Sequence, residues 1–159
     1  MSDVHCVNRC GRPAVTDRLS GMVHDTPVLE LLCSICADPR RKAEFVLKAR
    51  PWSLNLERRE HWTTARSLTR EWREQFGWLG LSSRQRFARA EVVCEVICGK
   101  PLPDTGNAYG ALKAALDGLV DARVLPGDGP DVIASLTMLA PRVPYPGEPE
   151  CLRVTLIEA

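Results

Sequence analysis

The clearest periodicity in the chain begins after Pro51, where apolar residues recur at helical spacing. They are Trp62, Ala65, Leu68, Trp72 and Phe76. Residues three or four positions apart share one face of a helix, so the pattern predicts an amphipathic helix. Gly77 follows the last of them and supplies a plausible stop.

Shorter patterns complete the predicted elements. The β-branched run Glu91–Cys98 predicts a strand, and prolines make residues 99–106 a loop. A second helix is indicated by an apolar stripe, and two further strands are predicted at Val132–Leu139 and Leu152–Ile157. The stripe consists of Leu112, Ala115, Leu116, Leu119 and Val120. The order helix, strand, helix, strand, strand predicts an α/β (α+β) domain with a mixed sheet and packed helices.

The length of 159 residues suits one main domain plus a small appendage. We expect a cysteine-pinned module at residues 1–38, a basic connector at 39–52 and the main domain at 53–159. The hydrophobic share of 45% and the charged share of 26% are those of a globular protein rather than a disordered one. No apolar run is long enough to span a membrane, and the first residues lack signal-peptide features, so a cytoplasmic location is expected.

Two cysteine pairs lie in the first forty residues, Cys6-x3-Cys10 and Cys33-x2-Cys36. Four thiolates at this spacing can close a tetrahedral site, so we predict structural zinc in a zinc-ribbon-like module, with free thiols as the less favoured alternative. His5 and His24 are possible substitute ligands but are more often incidental beside four cysteines. The other cysteines, Cys94, Cys98 and Cys151, are most simply buried small apolar residues.

The net charge of +1 hides a strong polarity along the chain. Residues 40–89 contain thirteen Lys or Arg against five acids, a local charge of +8, and the remainder of the chain carries −7. Such a basic stretch is typical of a protein that grips phosphates, although a solvated basic helix explains it about equally well.

Candidate chemistry lies around the second predicted helix. Its residues are Asp104, Asn107, Lys113, Asp117 and Asp128. Carboxylates from a loop, a helix and the next loop can converge on Mg²⁺, and a lysine can neutralise phosphate. Spacing alone favours a simpler interpretation, in which Lys113 and Asp117 form a helix ion pair and Asp128 is a turn residue.

Two motifs in this order resemble the RusA family of Holliday-junction resolvases, particularly its phage-type members. The first is Asp104-x-x-Asn107, Lys113-x-x-x-Asp117-Gly-Leu and Val124-Leu-Pro-x-Asp128; the second is Ser53-Leu-Asn55, His61-Trp62 and Arg70-Glu-Trp-Arg73. The resemblance covers about two-thirds of the chain, from Pro51 to its end.

The resemblance implies a homodimeric, Mg²⁺- or Mn²⁺-dependent endodeoxyribonuclease that resolves branched DNA by paired nicks, in the host cytoplasm if phage-encoded. Asp104 and Asp128 would be metal ligands, Asn107 would support the loop, Lys113 would assist at the scissile phosphate, and Asp117 would belong to the site's helix. The residues predicted to bind DNA are Asn55, Arg58, Arg59, His61, Arg66, Arg70 and Arg73. Trp62 and Trp72 are candidates for stacking on unpaired bases, but core positions are the stronger expectation.

The chain departs from the family pattern at two positions. Family members often have a further aspartate where this chain has Gly106, and an Asp-Asp pair where it has Gly127 and Asp128. Asp131 is a possible compensating acid. Two alternatives therefore accompany the nuclease hypothesis: a weakened or inactive junction-binding protein of the same fold, and a zinc-organised interaction adaptor.

Overall fold

A computed structural model describes residues 16–23, 26–32, 35, 38–53 and 62–159. The chain divides into two compact units, Met1–Arg40 and Arg41–Ala159. In the first unit, strands β1 (Thr16–Val23) and β2 (Thr26–Leu32) pair antiparallel, with Val23 opposite Thr26. The pairing slips once, between Leu19 and Gly21. Strands β1 and β2 lie, in sequence, between the two cysteine pairs of the predicted zinc module. Neither strand was predicted.

The described residues of the second unit form four strands and two helices. Its elements are β3 (Lys42–Leu47), α1 (Trp62–Ser83), β4 (Ala90–Ile97), α2 (Tyr109–Asp121), β5 (Ile133–Met138) and β6 (Cys151–Glu158). A single 3-10 turn, Thr105–Ala108, leads into α2. The predicted α+β class is confirmed, and β4, β5 and β6 lie within two residues of their predicted bounds.

The strands of the second unit form one mixed sheet in the order β3-β6-β4-β5. β4 and β5 run parallel, with α2 as the crossover between them, and β6 is antiparallel to both of its neighbours. Parallel strands need such a crossover because a short turn cannot bring the chain back to the same end of the sheet. The crossover determines where α2 and the loops at its two ends lie.

One face of the sheet carries the core. Alternate residues of β4 and β6 are buried against the helices, as the two-residue period of a strand requires: Val92, Cys94, Val96, Leu152, Val154 and Leu156. Trp72 and Phe76 of α1 belong to the same cluster, and Trp72 packs edge-on against Trp52 with ring centroids 5.1 Å apart. The core interpretation is therefore confirmed for Trp72, whereas the side chain of Trp62 lies outside the described part of the structure. Cys94, Cys98 and Cys151 are buried free thiols, as predicted.

Gly77 does not end α1, and the predicted stop there is wrong. The helix continues to Ser83 because α1 and α2 cross closely at this point. A Cβ added to Gly118 of α2 would lie 2.2 Å from the carbonyl oxygen of Arg73 and 2.9 Å from the amide nitrogen of Gly77. Glycine disfavours a helix by only about 1 kcal/mol, and close helix packing offsets a cost of that size.

The segment 39–52 contains a strand that was not predicted there. β3 pairs with β6 along its whole length, from Lys42 opposite Ile157 to Leu47 opposite Leu152. Its alternation of charged and apolar residues lasts only from Lys42 to Phe45, too short a run to indicate a strand, and only Phe45 is fully buried. Among the described residues, no helix is long and apolar enough to cross a membrane.

Candidate active site

Helix α2 presents Lys113 and Asp117 on its solvent side. Most other residues of this helix are buried, so the two charged side chains, one turn apart, extend away from the core. The ammonium group of Lys113 donates a hydrogen bond to Oδ1 of Asp117 and another, 2.7 Å long, to Oδ2 of Asp128. Asp128 comes from the loop that leads towards β5. We call Lys113, Asp117 and Asp128 the Lys113 cluster.

The Lys113 cluster is accessible and negatively charged. Its side chains are 46%, 25% and 47% exposed, in sequence order, and two carboxylates against one ammonium group leave a formal charge of −1. Hydrogen bonds from Lys113 to Asp117 and Asp128 raise the pKa of the lysine. The same lysine lowers the pKa of Asp128, which therefore stays ionised well below neutral pH. Excess carboxylate at an accessible position is suited to attracting a cation.

Asp104 and Asn107 lie at the opposite end of α2. The amide nitrogen of Asn107 donates to the carbonyl oxygen of Asp104 at 2.9 Å, and its side-chain Nδ2 approaches Oδ2 of Asp104 at 3.4 Å. Both residues line a cavity of about 610 Å³ together with Arg50, Trp52 and Ser53. Arg50 also donates a 3.0 Å hydrogen bond to the carbonyl oxygen of Pro101, and its guanidinium group lies 3.7 Å from the Glu150 carboxylate.

The five predicted site residues thus form two parts. Successive helical residues rise 1.5 Å, so Tyr109, at the start of α2, and Asp117 are separated by about 12 Å along the axis, and Asp104 precedes both. Among the described residues, no three His, Cys, Asp or Glu side chains are grouped as metal ligands. Mg²⁺ is commonly held by one or two carboxylates, several waters and a substrate phosphate, and Asp117 with Asp128 fits that smaller requirement.

The basic face of α1 lies beside the Lys113 cluster. Arg73 is paired with Asp121 of α2, its Nη2 lying 2.7 Å from Oδ1 of that residue. The hydrogen bond to Asp121 raises the pKa of Arg73, and the nearby charge of Asp117 adds to the effect. Arg66 and Arg70 are exposed on the same helix. Of the predicted DNA-binding residues, these three arginines are the ones that the structure describes.

Several predicted residues lie outside the described part of the chain. They are the proposed zinc ligands Cys6, Cys10, Cys33 and Cys36, the histidines His5 and His24, and the proposed DNA contacts Asn55, Arg58, Arg59 and His61.

Two residues of this region were missed by sequence reasoning. Asp121 follows Asp117 by one helical turn and pairs with Arg73. Trp78 is 67% exposed, although Trp62 and Trp72 were the tryptophans considered for stacking. Trp78 follows the core residue Phe76 by two positions, which turns it about 200° away on a helix. The helical period alone could therefore have identified Trp78 as a surface aromatic residue.

Gly106 and Gly127, at which the resemblance to the RusA family leads one to expect acids, have room for a side chain. A Cβ at Gly106 would meet nothing within 4 Å, and one at Gly127 would touch only Val132, at 3.9 Å. Neither position is kept as glycine by crowding.

Comparison of the chain with protein-family models, with curated proteins and with solved structures finds no match in any of the three.

Proposed function

We propose that the protein is a magnesium- or manganese-dependent endodeoxyribonuclease that resolves branched DNA, a member of the RusA family of Holliday-junction resolvases with an added zinc module. The observation that carries the proposal is the Lys113 cluster, in which two aspartates from α2 and the following loop meet a lysine at an accessible position. These residues belong to the first motif of the resemblance.

The surroundings of the Lys113 cluster support DNA as the substrate. Arg73 lies close enough to Asp117 for the two charges to interact, and Arg66 and Arg70 continue the basic surface along α1. Arginines arranged along a helix contact phosphates without reading base sequence, which suits an enzyme that selects a DNA shape. Binding of this kind weakens steeply with salt.

Each residue has a proposed role. Asp128 would hold the metal with Asp117 beside it, and Lys113 would neutralise the scissile phosphate once the metal competes for the aspartates. Asp104 would act as a further ligand, supported by Asn107. A bound divalent metal would supply an activated water and stabilise charge on the phosphate. Paired nicks require two such sites, so we propose that the chain acts as a homodimer.

The direct test is cleavage of a synthetic four-way junction by the full chain with Mg²⁺ or Mn²⁺. We expect symmetric nicks from the wild type and a loss of at least about a hundredfold in rate from Asp128→Asn, the size of effect seen when a key electrostatic group is removed. Glu71→Gln, which neutralises an exposed carboxylate on α1 outside the cluster, should retain activity. Folded, zinc-supplied protein that nicks with neither metal would refute the proposal.

A second candidate is a junction-binding protein of the same fold with weakened or no catalysis. It is favoured by the pairing of both cluster aspartates with Lys113 and by the separate position of Asp104. This candidate predicts junction binding that is unchanged in Asp128→Asn. Because Gly106 and Gly127 have room for side chains, the double variant Gly106→Asp/Gly127→Asp should then gain Mg²⁺-dependent nicking. A gain would indicate that the missing carboxylates limit catalysis.

The four-cysteine module remains a separate proposal, because its cysteines lie outside the described residues. Metal analysis of the purified full chain should find about one zinc per chain. The adaptor alternative would gain support if removal of residues 1–38 abolished recruitment of a partner protein but spared DNA binding.

A further inference from the structure

A groove of about 680 Å³ runs along the outer face of α1. Trp78, Gly77 and Leu81 contribute its apolar part, and Arg66, Arg70 and Arg73 its cationic part. Trp78 and Leu81 are 67% and 53% exposed, which is unusual for large apolar side chains on the same helix. Such a surface needs an explanation beyond the packing of α1 onto the core.

Trp78 stands in line with the arginines. Arg66, Arg70 and Trp78 are separated by multiples of four residues, with Glu74 between the last two, so they follow one ridge of the helix. Gly77, next to Trp78, also lines the groove. An aromatic face with cations along the same ridge matches the alternation of base and phosphate in a nucleic-acid strand.

Two acids also line the groove, and each has an arginine beside it. Asp121 is held by Arg73, and Glu74 lies 4.0 Å from Arg70 in an exposed pair. Three arginines against two acids leave the groove with a formal charge of +1. Exposed pairs of this kind contribute little, so an incoming phosphate can compete for Arg70 at small cost.

The groove leads towards the candidate active site. Asp121 forms part of its wall, and Asp117 precedes it by one turn of α2. Arg73 also lines the groove, and it lies close enough to Asp117 for that charge to raise its pKa. A strand in the groove would therefore pass close to the Lys113 cluster. Inside a duplex each base pair is covered on both faces by its neighbours, so the indole ring is best matched by an unpaired base, whose faces are free.

We infer that Trp78 is a stacking platform for an unpaired base of the DNA substrate, whose phosphates lie along Arg66 and Arg70. The inference rests on the proposed function in that it takes DNA to be the substrate. It adds a preference for strands that are unpaired near the branch point.

The test uses the full chain with Asp128→Asn, so that DNA is not cut, and fluorescence anisotropy with three labelled probes. The probes are a duplex with a short single-stranded thymidine tail, the same duplex with an abasic tail, and a blunt duplex. Adding Trp78→Ala should weaken binding to the thymidine tail about tenfold, within the range for base–aromatic stacking. Binding to the other two probes should change by less than about twofold, because neither offers an unpaired base to the ring.

Two further variants make the result specific. Trp78→Phe should retain most of the affinity for the thymidine tail because it keeps an aromatic face. Leu136→Ala, which removes an exposed apolar side chain from β5, should bind all three probes like its parent. Since Trp78 is exposed, its replacement should leave the fold, and so the far-UV circular dichroism spectrum, essentially unchanged.

An equal loss on all three probes, no loss on the thymidine tail, or no binding to any probe would overturn the inference. Its outcome is separable from that of the nuclease proposal. Tail binding that depends on Trp78 in a protein that never nicks a junction would retain the inference and reject the nuclease. Junction nicking and tail binding that are both unaffected by Trp78→Ala would retain the nuclease proposal and reject the inference.

Discussion

Two clusters of ionic side chains in the described part of the second unit differ in burial and in charge balance. Glu95, Arg142, Glu148 and Arg153 form what we call the Glu95 network, in which two arginines match two glutamates. Their side chains are at most 19% exposed, whereas Lys113 and Asp128 are nearly half exposed. The Lys113 cluster also has one carboxylate more than it has cations.

The difference indicates that the Glu95 network stabilises the fold, whereas the Lys113 cluster is a candidate site. In the Glu95 network, Arg153 donates to Glu95 at 2.7 Å and approaches Glu148 at 3.3 Å, so one guanidinium group joins β4 to the segment before β6. Burial alone would lower the pKa of Arg142, but hydrogen bonds to Glu148 and Glu95 outweigh it and raise that pKa. A neutral and mostly buried network has no spare charge for a ligand, whereas the Lys113 cluster has both an excess charge and access to solvent.

The largest expected effect on stability comes from breaking the Glu95 network. Glu95→Gln leaves Arg142 and Arg153 without their shared buried carboxylate, and loss of one partner from a buried ion pair typically costs about 3–5 kcal/mol of unfolding free energy. Asp128→Asn should change stability far less, because its pair with Lys113 is exposed to solvent. Urea denaturation of both variants measures the contrast. Equal losses of unfolding free energy in the two variants would show that the Lys113 cluster also stabilises the fold.

A second prediction concerns what holds the Lys113 cluster in place. Because Gly118 touches the backbone of α1, Gly118→Ala should separate α1 from α2 and cost about 1–3 kcal/mol, the usual penalty for overpacking. Gly106→Ala is the matched control, since its Cβ would enter open space, and it should change stability by less than about 1 kcal/mol. Both are measured by thermal or urea unfolding. A harmless Gly118→Ala would mean that the two helices adjust freely.

Local sequence patterns predicted most of the helices and strands that the structure describes in the second unit. The core stripe of α1 and the β-branched strands were readable because their apolar periods are strong. The strand β3 was missed because its buried residues are few, and the parallel pairing of β4 with β5 depends on partners far apart in sequence. Gly77 was misjudged because its packing against Gly118 is visible only in three dimensions.

For the candidate site, sequence spacing placed Lys113 and Asp117 on one helix face, and the structure adds Asp128 to them. Sequence spacing did not predict the distance between Asp104 and the Lys113 cluster. Asp104 lies in a loop before α2, and the course of a loop depends on contacts that the spacing of residues does not reveal. The pairing of Arg73 with Asp121 was equally unpredictable, since it crosses from one helix to the other.

The smallest expected effect is the response of the two clusters to acid. Burial alone would raise the pKa of Glu148, but bonds from Arg142 and the amide of Tyr145 lower it, and Lys113 lowers the pKa of Asp128. A carboxylate whose folded-state pKa lies below its unfolded value stabilises the fold above the unfolded value, about 4. That contribution disappears as the pH falls through the lower folded-state value.

Melting temperatures between pH 7 and pH 3 at constant ionic strength should therefore decline on the acid side for the wild type. Glu148→Gln should flatten the decline, because it removes a part-buried carboxylate that binds two arginines. Asp128→Asn should flatten it less, and added salt should erase that smaller difference, since solvent and ions screen an exposed pair. If Asp128→Asn flattened the curve as much as Glu148→Gln did, and salt had no effect, the Lys113 cluster would have to be treated as structural. Its excess carboxylate would then no longer argue for a cation site.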